Sequence, residues 1–378
     1  MAQEEKGIPN VYVAGSPLAL QSKVFKGRRD IFRALERELV PQADQRPALL
    51  LFGARRMGKT SVLRQLPNLI GPQVIPVMVD LQSAALSENA VSLFGKIAEA
   101  IQNSALLNRS ITLADISKSA LENEPYRAFS DWMEVAGKSI GERWILLCLD
   151  EYEYLEKMLA DKRSDERASQ LLRTLIQNHP RLTLLFSGAH TLDDLQPLWS
   201  NYLINVRIVK INPLAEKDAK ELITKPIPDF PLSYDQEAVR HLLTETGCHP
   251  YLIQSTCQDL VHRLNEDSRF DANIKDVDRA LDATLESGAG YFNDLWNGRD
   301  SNDLERAIQL EIARTKAGKL SVSRLESTLG KAEYSKQDIQ TGINRLIHRD
   351  VLERDDSHVR FRFELIRRWI RYQQLGMK

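Results

Sequence analysis

Residues 48–61 read ALLLFGARRMGKTS: an apolar run, then the loop Gly53-Ala54-Arg55-Arg56-Met57-Gly58, then Lys59-Thr60-Ser61 opening a helical pattern. This is G-x-x-x-x-G-K-[ST] in the strand-loop-helix setting that gives the motif its physical meaning. Glycines at both ends let the backbone wrap a polyphosphate with no Cβ in the way, while loop amides and the helix N-terminus supply partial positive charge. In this reading Gly53, Arg55, Arg56 and Gly58 belong to the phosphate-binding loop. Lys59 reaches the β- and γ-phosphates, Thr60 offers a hydroxyl to Mg²⁺, and Ser61 contacts the α-phosphate.

Working outward, apolar runs alternate with helical patterns from Pro47 on, which is how a parallel sheet of strand-helix-strand units is written. Buried strands are expected at Ala48–Phe52, Val74–Asp80, Trp144–Asp150 and Leu182–Ser187, with a partly wet edge strand at Val206–Ile211. Helices are expected at Ser61–Leu69, Ala90–Asn103 and Ser164–Asn178. The fold class is therefore α/β, a doubly wound parallel sheet. The run WILLCLDEYEYL ends a strand at Asp150-Glu151, at the carboxyl edge where open α/β sheets bind ligands. Asp150 would hold the Mg²⁺ through water and Glu151 would polarise an attacking water. The run LTLLFS ends at Ser187-Gly188-Ala189-His190, and Ser187 or His190 is the candidate to face the γ-phosphate.

Past Pro213 the strand signal fades. Amphipathic segments at Glu216–Ile223, Gln236–Thr246, Tyr251–Asn265 and Lys275–Glu286 predict a small all-helical domain. Helical runs at Leu304–Thr315, Ser323–Leu329 and Lys336–His348 precede two extended pieces, Val351–Arg354 and Val359–Phe363, around the turn Asp355-Asp356-Ser357. Three helices and a hairpin predict a winged helix-turn-helix, followed by a last helix at Glu364–Gln374. The expected domains are a lead-in at 1–46, the phosphate-binding domain at 47–213, a helical lid at 214–298 and a winged helix at 299–378.

A chain of 378 residues has room for two or three such domains. Its 43% apolar and 27% charged residues are those of a globular protein and exclude a disordered one. Cys148, Cys248 and Cys257 have no metal-ligand or disulfide spacing, which fits a reducing cytoplasm. No apolar stretch reaches the roughly 18–20 residues a membrane span needs, so no membrane partner is expected.

The strings VFKGRRDIF at 24–32, LLLFGARRMGKTSVLRQL at 49–66, VMVDLQ, LDEYEYLE, LLFSGAHTLDDL, ITKPI and TGCHPYLIQ together resemble the STAND group of AAA+-related P-loop ATPases. The likeness is to bacterial and archaeal ATPases with an F-x-G-R motif and an RRMGKTS loop, and it runs from about Asn10 to Trp369. The resemblance implies ATP with Mg²⁺ as ligands and Lys59 and Glu151 as catalytic residues. It implies that Phe25-Lys26-Gly27-Arg28 folds over adenine and ribose, and that His249-Pro250 is the lid motif whose proline lies against the base. The same Gly247 and Pro250 would also serve as a helix stop and a helix start. One departure stands out: Phe361-Arg362-Phe363-Glu364 carries phenylalanine where relatives often have a nucleotide-sensing histidine.

These readings lead to a slowly hydrolysing ATP switch that controls domain arrangement and either self-assembly into a homo-oligomer or the binding of a protein partner. Arg181 and Arg207 are candidates to reach a neighbour's site. The alternative is a DNA-engaging ATPase. Residues 303–378 carry 16 Lys+Arg against 11 Asp+Glu, so the chain's net −1 hides a +5 module beside a −6 remainder. Lys336, Gln340, Asn344, Arg345 and Arg349 are donors of the kind a base-reading helix uses. Asp355 and Asp356 at the wing tip oppose phosphate contact.

Overall fold

The computed structural model describes residues 7–39, 47–84, 90–154, 179, 181–189, 206–298, 301–332 and 334–377. They fall into two compact units. A sheet unit holds Pro17–Ser22 and Arg28–Asn212, and a helical unit holds the described residues of Met1–Ser16, Lys23–Gly27 and Pro213–Lys378.

In the sheet unit, β1 (Leu49–Phe52), β2 (Val74–Asp80), β3 (Trp144–Asp150), β4 (Leu182–Gly188) and β5 (Arg207–Lys210) form one parallel sheet in the order β2-β3-β4-β1-β5. β1, β3 and β4 are almost wholly buried, as continuous apolar runs require when a parallel sheet is covered on both faces. β5 is the edge, and only Val209 of its four residues is buried. The order places β4 between β1 and β3. Ser187 thus stands in register with Leu51 on one side and Asp150 on the other.

The helices of this unit are α1 (Arg29–Leu39), α2 (Lys59–Leu69), α3 (Leu81–Ala84), α4 (Ala90–Arg109), α5 (Lys118–Asn123) and α6 (Pro125–Ser139). One parity of the sheet, including Leu50, Ile75, Val77, Leu147 and Phe186, forms a core with α4 and α6, where Phe94 stacks on Phe129 at 5.0 Å. The other parity, including Leu49, Leu51, Leu146 and Leu185, is equally buried. Each such side chain contributes roughly 1.5–3 kcal/mol by leaving water, so the strand tips are held as a rigid platform. The predicted helix at 164–178 lies outside the described residues.

The helical unit begins with α7 (Glu216–Thr224), α8 (Gln236–Thr246), α9 (Pro250–Glu266), α10 (Ile274–Ser287) and α11 (Ala289–Asn297). It also contains β6 (Ser233–Tyr234) and β7 (Asp271–Ala272), paired in parallel, so the stretch is not all-helical as expected. Two residues are too few to write a period. There follow α12 (Asp303–Arg314), β8 (Lys319–Ser321), α13 (Val322–Leu329), α14 (Lys336–His348), β9 (Leu352–Asp355), β10 (His358–Phe361) and α15 (Glu364–Leu375). The expected hairpin gains a third strand, in the antiparallel order β8-β10-β9. Start signals are explicit: Ser335 and Asp338 form a capping box on α14, as Asn273 and Asp276 do on α10. Residues 7–13 run along α9, where Asn265 donates to Ile8 O and accepts from Ile8 N, and Gln254 accepts from Val13 N.

Candidate functional site

Where β1 ends, a Cβ on Gly53 would lie 2.2 Å from Ile211 Cγ2 and 2.7 Å from Ile211 O, so only glycine lets the loop leave the sheet there. Gly58 is glycine for a different reason. It has open space around it but a φ of 92°, a left-handed conformation that costs other residues about 1–2 kcal/mol. Arg56 accepts that cost at φ 61°. Gly58 caps α2, whose first-turn amides have no acceptor within the helix, the arrangement that makes a helix start an anion site. Lys59, only 7% exposed, folds back and donates from Nζ to Gly53 O at 2.8 Å and Ala54 O at 3.1 Å. Burial pushes its ammonium below the ordinary lysine value, and the Glu151, Glu153 and Asp150 carboxylates oppose that shift.

The carboxylate side of the site is built by β3 and β4. Asp150 is 2% exposed, and its two oxygens accept from two hydroxyls: Thr60 Oγ1 on Oδ2 at 2.6 Å and Ser187 Oγ on Oδ1 at 2.6 Å. Residues ninety positions apart in the chain thus meet across three strand tips. Glu151 follows at φ 54°, which turns the chain sharply off the strand end. Burial and the Glu153 carboxylate raise the proton affinity of Glu151, with Lys59 acting against them. The turn is fastened to β4: Tyr152 N donates to Ser187 O at 3.1 Å and Ala189 N donates to Glu153 Oε1. Glu153 was not singled out from the sequence. Its carboxylate accepts from Ala189 N, and a Cβ on Gly188 would meet Glu153 Oε1 at 2.5 Å, so the clasp needs glycine at 188.

The structure therefore brings Gly53, Gly58, Lys59, Thr60, Asp150, Glu151 and Ser187 together. Arg55 and Arg56 are exposed on the same loop. Ser61 is buried, and its Oγ accepts from Leu18 N at 3.0 Å. Arg28 is buried at the start of α1, with φ 66°, and donates to Met57 O and Asn212 O. Gly27, His249 and Pro250 belong to the helical unit. Gly27 packs on Asp218. Gly247 ends α8 in the left-handed region and Pro250 starts α9, the stop-and-start arrangement read from the sequence. His249 between them is fully buried, 3.3 Å from Tyr291 Oη and edge-on to Phe363 at 5.0 Å. Arg181 and Arg207 are exposed, and His190 lies outside the described residues.

A parallel five-stranded sheet with a glycine-bounded loop before α2, a buried lysine, and an aspartate at a neighbouring strand tip defines a P-loop NTPase. The chain belongs to the Novel STAND NTPase 1 family, whose family model matches residues 19–376. No curated protein matches this sequence. The fold is similar to a Walker-type ATPase of Pyrococcus abyssi at 16% identity and TM-score 0.65, covering 94% of this chain and 99% of that one. It is also similar to the ORC2 protein of Aeropyrum pernix, solved as ADPNP–ADP complexes, at 13% identity and TM-score 0.58, covering 97% and 98%. At these identities the likeness speaks for the fold. No helix among the described residues is long and apolar enough to cross a membrane.

Proposed function

We propose that the chain binds ATP with Mg²⁺, hydrolyses it slowly, and uses the nucleotide state to set the arrangement of its domains and its assembly with further copies or a protein partner. The observation that carries this reading is the Thr60–Asp150–Ser187 chain at the strand tips behind the glycine-bounded loop. A hydroxyl and a carboxylate oxygen 2.6 Å apart are hard donors of the kind Mg²⁺ prefers, so Thr60 and Asp150 suit that ion. Bound there, Mg²⁺ would neutralise charge on the β- and γ-phosphates. Lys59 grips the same phosphates, Ser187 holds Asp150 in place and faces the γ-phosphate end, and Glu151, with its raised proton affinity, accepts the proton of the attacking water. Residues 214–298, with His249 and Pro250, act as the lid, and residues 299–378 as a winged helix. A switch of this kind moves only as far as the nucleotide binds one arrangement better than the other.

The charges of the C-terminal module favour a protein-facing role over the DNA alternative. Lys319 pairs with Asp355, Arg360 with Glu353, Arg362 with Asp350 and Arg367 with Glu364. Arg354 of β9 donates to the amide oxygens of Gln340 and Asn344 on α14, and Gln340 Nε2 donates to Glu326 Oε1, so two side chains a base-reading helix would turn outward are engaged within the unit. Mass measurement in solution of the parent and of Glu151→Gln, with ADP, ATP, and ATP plus duplex DNA across a salt series, tests the choice. Larger particles with ATP, accumulating in Glu151→Gln, are expected. A species that forms only with DNA and dissolves as salt rises would favour the alternative instead.

A further inference from the structure

Three backbone segments meet at Arg28. The residue is 6% exposed, and its guanidinium donates through Nη2 to Met57 O at 2.8 Å and through Nη1 to Asn212 O. Its own carbonyl accepts from Ile31 N at 3.1 Å and Phe32 N at 3.2 Å, so α1 begins on it. Met57 is the residue before Gly58 in the phosphate loop. Asn212 follows Ile211, whose side chain and carbonyl lie against Gly53. One guanidinium thus fastens the loop near both ends, directly at Met57 and through the 211–212 segment at Gly53.

The peptide plane turns this contact into a directional one. All peptide bonds of the described chain are trans, so the Met57 carbonyl and the Gly58 amide point in opposite directions within one rigid plane. Holding the carbonyl toward Arg28 turns the Gly58 N–H the other way. Gly58, at φ 92° and with open space where a side chain would stand, has no Cβ whose packing could fix that orientation. The planar guanidinium serves two carbonyls in a fixed geometry, where a lysine's rotatable ammonium on a flexible stem sets no such direction. The strained φ of 66° at Arg28 marks a position that the surrounding structure holds firmly.

We propose that Arg28 is a positioning residue for the phosphate loop, setting the direction of the Met57–Gly58 peptide, and does not act by touching base or ribose. The proposal rests on the reading of residues 53–61 as a polyphosphate site. Its test separates the two. In the full chain without nucleotide, Arg28→Lys and Arg28→Gln speed hydrogen exchange of the amides at 53–60, whereas Arg29→Lys at the exposed neighbour does not. In the same variants the dissociation constants for ADP and for inorganic tripolyphosphate, which has no base or ribose, rise by the same factor, about tenfold. Weakened ADP binding with tripolyphosphate unchanged overturns the proposal in favour of a base or ribose contact, and so does unchanged exchange. Loss of cooperative unfolding in both variants also overturns it, because a local brace leaves the two cores intact. If the parent and Lys59→Ala bind tripolyphosphate alike, the phosphate-site reading fails, and the exchange measurement still decides whether Arg28 braces the loop.

Discussion

In the sheet unit, Lys59 and Arg28 are buried and donate to backbone carbonyls, whereas in the helical unit Arg349, Arg362 and Arg368 face carboxylates. A carbonyl satisfies a cation's hydrogen bonds and leaves its charge; a carboxylate cancels the charge as well. The first arrangement keeps cations ready for an anionic ligand. The second joins helices: Arg349 reaches the fully buried Glu305, and Arg368 on α15 meets Glu245 of α8 and Asp278 and Asp282 of α10. Part of the positive charge of residues 303–378 is therefore paired within the unit.

The contrast can be broken or sharpened by substitution. The largest effect is expected from Lys59→Ala, which removes the charge and its grip on the loop carbonyls and should weaken nucleotide binding at least a hundredfold in a titration with ADP or ATP. Unfolding temperature without nucleotide should change little, and a variant that still binds nucleotide like the parent would end the comparison. Next comes Arg349→Ala, which takes the cation away from the buried Glu305 carboxylate. Breaking a buried pair costs about 3–5 kcal/mol, read by denaturant unfolding, with nucleotide affinity per folded molecule unchanged. The smallest is Asp276→Asn in the α10 capping box, expected to cost about 1 kcal/mol at neutral pH. Burial works against the Asp276 charge, but hydrogen bonds from Arg269 prevail and hold its carboxyl below the ordinary aspartate value. Its stabilisation is thus present above the unfolded-state value and lost as pH falls through the lowered one, so parent and variant should converge in acid.

Much of this was written in the chain. β2 and β3 fall where Val74–Asp80 and Trp144–Asp150 were expected, because an uninterrupted apolar run bounded by polar residues has one use in a parallel sheet. β5 showed its edge position through alternation, and Gly53, Gly58, Lys59 and Thr60 were legible because their spacing is local. Other features depend on distance in the sequence. The Thr60–Asp150 bond, the clasp of Glu153 on Ala189, and the two carbonyls held by Arg28 all join residues that no period connects. For Arg28 the resemblance implies a nucleotide contact, and the structure shows two backbone carbonyls as its acceptors. α5 and α6 went unread because their apolar residues are interrupted by polar ones, and Pro125, which opens α6, also looks like a loop residue.

The lead-in carries one last consequence. Its described residues alternate between the two units: those of Met1–Ser16 and Lys23–Gly27 belong to one, and Pro17–Ser22 with the described residues of Arg28–Asn212 belong to the other. Neither half is a continuous piece of polypeptide. A gene fragment beginning at Pro213 would lack Ile8, Tyr12 and Val13, the residues that Asn265, the Ile223 carbonyl and Gln254 hold. The two parts are laced into one heritable object, and dissecting them calls for rearranging the order of the gene, not merely shortening it.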